Sequence, residues 1–203
     1  MIGSILLTLK RSRFFILSIF MTYWISCAAG IIMSHTGNNF ALTARDRIVG
    51  QAVENDKASL SYLKGNNINA ALYDFCGNLL LGAVPQTLMG FGIVIPYFTV
   101  LRQGWIGGIV SVDSQHKSRF KNFKSSAYYL LVLMLQFIPY SLAIGCGIRF
   151  GVDFYNNNRV NGWEFWKYKI QKSGIKDLIY IYILVIPLFF LASCFEFLSS
   201  WNI

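Results

Sequence analysis

The chain has 203 residues, 55% hydrophobic and only 13% charged, whereas an ordinary soluble domain carries about 25% charged residues. That excludes a conventional water-soluble core and points to a single membrane domain of roughly four to six spanning helices. Lys and Arg number 18 against 9 Asp and Glu, a formal charge of +9, and almost all of that charge lies outside the apolar runs. Basic loops of this kind serve the positive-inside rule and anionic headgroups. No basic fold motif with interleaved base-stacking aromatics is present, so nucleic acid is not an expected partner.

In chain order, Ile2, Ile5, Leu6 and Leu9 fall at helical spacing ahead of Lys10, Arg11 and Arg13. This predicts a short interfacial helix leading into a first span over about 14–34. Charge before that span and little after it place the N-terminus in the cytoplasm. Residues 35–65 are polar and of mixed charge, and 43–63 reads as an amphipathic helix outside the membrane or packed over the bundle.

The stretch 66–112 is long enough for two crossings, yet it carries Asp74, Asn78, Gln86, Pro85, Pro96 and repeated glycines. It divides most naturally at Val84-Pro85-Gln86, giving segments over about 70–84 and 88–112, the second with a kink at Pro96. The first segment is short, so a full crossing and a re-entrant course both remain open. A full crossing leaves the basic loop 113–125 outside, against the charge rule; re-entry moves the next basic loop outside instead.

A further span is predicted over about 127–151, with Ala143, Gly147 and Gly151 at fourfold spacing, which lets a second helix approach closely. In the loop 152–176, Trp163, Trp166 and Ile170 share one helical face beside Lys167. Aromatic residues toward headgroups and lysines toward anionic surface make an interfacial or partner-docking helix. The last span, about 178–198, contains Pro187 and carries Glu196 near its end. The fold expected is therefore an all-α integral membrane bundle of about five transmembrane helices with interfacial amphipathic helices.

In this order the chain resembles the stage II sporulation protein M family of multi-spanning bacterial and archaeal membrane proteins. The counterparts are Asn69, Gly77, Gly82, the run Leu101-Arg102-Gln103-Gly104-Trp105-Ile106-Gly107-Gly108, then Ile138-Pro139-Tyr140 with Ala143, Gly145 and Gly147, and the late acid Glu196. Many members carry Pro-His-Gly and an acid just upstream of the matching proline. This chain reads Leu131-Val132-Leu133-Met134 there, so a role resting on that histidine or acid does not carry over. The resemblance implies five spans in a bacterial or archaeal inner membrane, with the C-terminus outside. It also implies membership of an envelope-remodelling assembly, or partnership with a transport ATPase.

No catalytic, cofactor or metal constellation is visible in the sequence. His35 and His116 stand in separate loops without Cys, Asp or Glu at ligand spacing, and no P-loop occurs. All four cysteines, Cys27, Cys76, Cys146 and Cys194, lie in apolar segments and read as buried free thiols. The candidate intramembrane polar residues are Asp74, Asn78, Gln86 and Glu196, because ionisable groups in spans often mark substrate or proton paths. If Asp74 is buried, Arg102 or Arg149 is its expected counter-ion. Gly104, Gly108, Ala143, Gly147 and Gly151 are candidate packing positions, either within the bundle or toward another copy or subunit.

Two functions fit these readings. One is a non-enzymatic membrane component of an envelope-associated complex. The alternative is the permease-type subunit of an ATP-driven exporter whose cytoplasmic ATPase is a separate chain.

Overall fold

The computed structural model describes residues 2–159 and 169–199. Helix dominates, and the described residues contain no strand beyond one isolated bridge between Val112 and Ser118. The helices are α1 (Ile2–His35), α2 (Asn39–Asn55), α3 (Lys57–Leu63), α4 (Asn67–Cys76), α5 (Val84–Met89), α6 (Ile95–Ile109), α7 (Phe123–Asn158) and α8 (Lys172–Leu198). A π-helical stretch, Gly77–Ala83, joins α4 to α5 without a gap, and a 3-10 turn, Gly90–Gly92, follows α5.

Three of these helices, α1, α7 and α8, are long and apolar enough to cross a membrane. Their outward faces are apolar as well. Phe14, Leu17, Met21, Ile25 and Ile32 form an exposed stripe on α1, and Ile179, Ile183, Ile186 and Phe190 form one on α8. Exposed apolar stripes of this length suit lipid and not water.

The contacts fix the direction of every limb. Thr8 and Arg11 of α1 meet Asp177 at the start of α8, and Arg149 near the end of α7 reaches the Arg11 carbonyl. At the other end of the bundle, Ser34 lies beside Ser111, and Tyr128 donates to the Glu196 carbonyl. The limb α4–π–α5 runs along α7 in the same direction: Asn78 bonds Gln136, whereas Thr87 and Gly90 lie against Gly147. From Gln136 to Gly147 the limb follows α7 for about 16 Å, at 1.5 Å per residue. Helix α6 then returns beside α1, with Tyr97 on Ser18 at 2.7 Å and the Leu101 carbonyl on Ser26 at 2.6 Å. Five limbs thus alternate in direction around α7.

Several expected boundaries move. Residues 2–9 do not form a separate interfacial helix; α1 is one helix of 34 residues, about 51 Å long. Lys10, Arg11, Ser12 and Arg13 contain no helix breaker, so nothing interrupts it. The 43–63 region is two helices, because Asp56 ends α2 and caps α3 by accepting from the Ser59 amide at 2.8 Å. Helix α7 extends the expected 127–151 at both ends, with Asn122 capping its start, and α8 begins six residues earlier than expected.

The largest correction concerns the central stretch, which does not divide at Val84-Pro85-Gln86. The chain passes through Pro85 as helix and turns at Gly90–Val94 instead. A mid-helix proline lacks one N–H and crowds the carbonyl four residues earlier, and the wider π stretch immediately upstream accommodates both demands. Pro96 likewise makes no kink; it sits in the first turn of α6, where its missing N–H costs nothing. The turn itself is strained: Ile93 has φ 48, a left-handed conformation costing about 1–3 kcal/mol in a β-branched residue. Its side chain packs on the cluster of Ile19, Tyr23, Val100, Phe137 and Ile148, which offsets that strain.

Helices α2 and α3 cover the end of the bundle that carries His35. Phe40 packs on Trp105 and Tyr62 on Phe197, with ring centroids 5.6 and 5.7 Å apart. The loop 111–122 closes beside them. The ring of His35 stacks on Phe120 and its Nε2 meets Ser118 Oγ at 2.9 Å, while His116 Nε2 meets Asp46 at 2.9 Å. Both histidines are exposed, yet each ties the loop to a helix. Asp46 is held below the usual carboxylate range by Arg45 first and then His116. The amides of Lys117 and Gln115 lower Asp113 likewise.

Candidate functional site

Three segments each contribute a pair of polar residues on one helical face, since residues three or four apart share a face. Asp74 and Asn78 come from α4 and the π stretch, Gln136 and Tyr140 from α7, and Ser193 and Glu196 from α8. They meet as one hydrogen-bonded network toward the His35 end of the bundle. Asp74 Oδ1 accepts from Asn78 Nδ2 at 2.9 Å, and Asp74 Oδ2 accepts from Gln136 Nε2 at 2.8 Å and Ser193 Oγ at 2.6 Å. Gln136 Nε2 also donates to Glu196 Oε2 at 2.9 Å. Asn78 Nδ2 donates to Gln136 Oε1 at 3.1 Å, and Tyr140 donates to Asn78 Oδ1 at 2.9 Å.

Every donor in this set points toward a carboxylate or toward the amide that leads to one. Two carboxylates therefore sit on either side of one amide nitrogen, joined through Gln136. Hydrogen-bond networks in low dielectric reinforce one another. The network also has an outlet: Glu196 lines a cleft of about 450 Å³ with Tyr62, Arg119, Tyr128 and Tyr129, roofed by Ser59 and Leu63 of α3.

The expected counter-ions are not there. Arg149 Nε bonds Asp153 at 2.6 Å, one helical turn away, and Arg102 is exposed on α6. Among the described residues no cation lies within ion-pair distance of Asp74; neutral donors satisfy it. The reason is positional. Arg149 is 13 residues beyond Gln136 on α7, about 20 Å along the axis.

Gln86 is buried on α5 but does not join the network, and its Oε1 has no hydrogen-bond partner among the described residues. A second polar contact ties the same limb to α8: Thr87 Oγ1 lies 2.8 Å from the Tyr182 hydroxyl.

The small residues all face inward. Gly104 and Gly108 rest against the Tyr23 and Cys27 carbonyls of α1, and Gly30 fits back against Gly108. Gly147 meets the Thr87 backbone, Gly151 meets Gly90, and Ala143 is buried with Ala83 and Ile181. Each position is used for packing within the chain. Of the interfacial candidates, Trp163, Trp166 and Lys167 lie outside the described residues, and Ile170 is exposed just before α8. The cysteines are free, but only Cys27 and Cys146 are buried; Cys76 is exposed on the apolar flank of α4. Among the described residues no cluster of His, Cys, Asp or Glu has the makings of a metal site.

Sequence reasoning missed Gln136, Tyr140 and Ser193. A usable signal existed: Gln136 is the one amide in the apolar run from Tyr128 to Tyr140, and it precedes Tyr140 by four residues. Ser193 precedes Glu196 by three. The sequence matches no protein-family model, no curated protein matches it, and no solved structure matches the fold.

Proposed function

We propose that the chain is a non-enzymatic, five-crossing membrane subunit of permease type, working with a separate energising partner. The observation that carries this reading is the network in which Gln136 bridges Asp74 and Glu196. Ionisable residues inside an apolar bundle are costly and are kept where a polar path is needed. Further support comes from the limb that supplies Asp74 and Asn78. It stays helical through a π stretch and a proline, and π segments within helices frequently lie at functional sites.

The alternating direction of the limbs supports a reading of five crossings, in which α4–π–α5 and α6 join the three helices α1, α7 and α8 that are long and apolar enough to span. With a cytoplasmic N-terminus the loop 111–122 lies outside. Its cationic excess is moderated there by Asp113, which lies 3.8 Å from Lys121. Labelling a Lys121→Cys variant in intact cells tests this: the external reagent reacts if the limb crosses, and protection until lysis rejects five crossings.

The second reading, an envelope-associated scaffold, is favoured by the resemblance to stage II sporulation protein M. Gentle purification from the native membrane separates the two. Co-purification of a nucleotide-binding subunit supports the permease reading, and recovery of peptidoglycan hydrolases or synthases with the chain supports the scaffold.

A further inference from the structure

At the opposite end of the bundle from the Asp74 network, a cleft of about 380 Å³ is lined by Arg11, Arg149, Asp153, Asn157, Ser173 and Asp177. Its lining is almost wholly polar, and its position is set by the sequence. The uncharged run of α1 begins at Phe14, that of α8 begins at Leu178, and α7 arrives here through Arg149 and Asp153. The cleft therefore lies where apolar helix surface gives way to charge, at headgroup depth.

We propose that this cleft binds the headgroup of a phospholipid carrying both a phosphate and a primary ammonium, as phosphatidylethanolamine does. The phosphate half rests on the two arginines. A guanidinium offers five N–H donors. Arg11 engages one, at 3.5 Å to Asp177, and Arg149 engages two, with Asp153 and with the Arg11 carbonyl. The remaining donors of both are available to a phosphate, the acceptor that guanidinium geometry matches best. Helix α8 begins at the same place, and Gln171 does not cap it through its side chain, so its positive end faces the cleft. Lys10, Arg13, Lys172 and Lys176 adjoin the lining in sequence and favour an anionic group, as in the basic headgroup pockets of other bundles.

The ammonium half rests on the carboxylates. Among the described residues, Asp153 Oδ1 has no hydrogen-bond partner, Arg149 being held by Oδ2. Asp177 accepts from Thr8 on one oxygen and only distantly from Arg11 on the other. A primary ammonium supplies three N–H donors to such acceptors. A choline headgroup supplies none, and a glycerol headgroup supplies no charge.

The test uses the full chain in nanodiscs of equimolar dioleoyl phosphatidylethanolamine, phosphatidylcholine and phosphatidylglycerol. Lipids retained after release are counted by native mass spectrometry. At least fivefold enrichment of phosphatidylethanolamine over the bulk ratio is expected. Arg149→Gln and Ser173→Phe should each return it to the bulk ratio. The second variant fills the cleft while leaving both ion pairs intact, so the outcome does not hang on one substitution that disturbs folding. Asp153→Asn should lower discrimination against phosphatidylcholine at least threefold.

Equal retention of the three lipids, preference for phosphatidylglycerol, or enrichment unchanged in both Arg149→Gln and Ser173→Phe overturns the proposal. Loss of the bound lipid to millimolar inorganic phosphate assigns the cleft to free phosphate and overturns the lipid assignment. The inference rests on membrane insertion and not on transport. A chain that inserts but shows bulk lipid ratios defeats this inference alone, while a chain recovered in the aqueous fraction defeats the membrane reading.

Discussion

The bundle has two kinds of seam. Between α1 and α6 the contact is close and mainly apolar: Gly30, Gly104 and Gly108 bring backbone against backbone, Ile19, Tyr23 and Val100 fill the space between, and isolated hydrogen bonds of Ser18 and Ser26 cross it. Between the α4–π–α5 limb and helices α7 and α8 the contact is mixed. Gly147 and Gly151 pack closely at the Arg11 end, and the polar network replaces close packing toward the His35 end. A close-packed glycine seam has no alternative arrangement of similar energy, because any sliding drives backbone into backbone. Hydrogen-bonded pairs on a π-interrupted limb can exchange partners. The first seam is built as a fixed strut, and the second has the parts of a moving one.

The strut is the seam most sensitive to substitution. Gly108→Leu places side-chain atoms into the Cys27 carbonyl and the Gly30 backbone. It should destabilise the bundle by about 1–3 kcal/mol or more, as overpacking does. Unfolding in mixed micelles reads this directly, and Gly50→Leu, where nothing lies within 4 Å, is the control. Equal tolerance of both substitutions would remove the distinction between the seams.

The next effect belongs to the network. Gln136→Leu strips one donor from each of Asp74 and Glu196 and should cost about 1–3 kcal/mol, the range for leaving buried polar groups unmet. Asp74→Asn keeps the shape but turns an amide group toward donors from Asn78, Gln136 or Ser193. Membrane insertion should be intact and function in a complementation assay clearly reduced. Full activity of Asp74→Asn would leave the network a structural device only. Tyr140→Phe removes a single hydrogen bond to Asn78 at the network's inner edge. Its expected cost is about 1 kcal/mol, with function less affected than in Asp74→Asn.

The two seams also differ in how far the sequence reveals them. Gly104 and Gly108 announce close packing by spacing alone, because only another backbone can use a small residue every fourth position. Membrane character and the long helices are legible for a similar reason, in uncharged runs such as Phe14–Ser34. Asp74 and Asn78 are visible as misfits in an apolar stretch. Their partners are not, because Gln136 and Ser193 lie 62 and 119 residues further on and local periodicity carries no information about which faces meet. Pro85 misleads in the opposite sense. Proline suggests a break, but the break falls at Gly90–Val94, since the π stretch that shelters Pro85 depends on packing against α7 and α8 and has no composition of its own.

The smallest expected effect lies outside both seams, in the clasp of His116 and Arg45 on Asp46. It ties the 111–122 loop to α2, above the cleft that Glu196 lines. Asp46 is depressed in the folded chain relative to about 3.9 when unfolded, so its contribution is present above that value. It is lost as pH falls through the lower folded value. His116→Ala should therefore have the smallest effect on stability of these variants near neutral pH, as loss of an exposed pair does, and hydrogen exchange in α2 should rise without change in α6 or α7. Once pH has fallen below the depressed folded value of Asp46, where the carboxylate has lost its charge folded and unfolded alike, wild type and variant should converge. A difference persisting there would assign the clasp to packing of the imidazole instead of charge. A clasp that opens without disturbing α6 or α7 would mean that α2 can move over the Glu196 cleft while the glycine seam stays shut, the division of labour the two seams suggest.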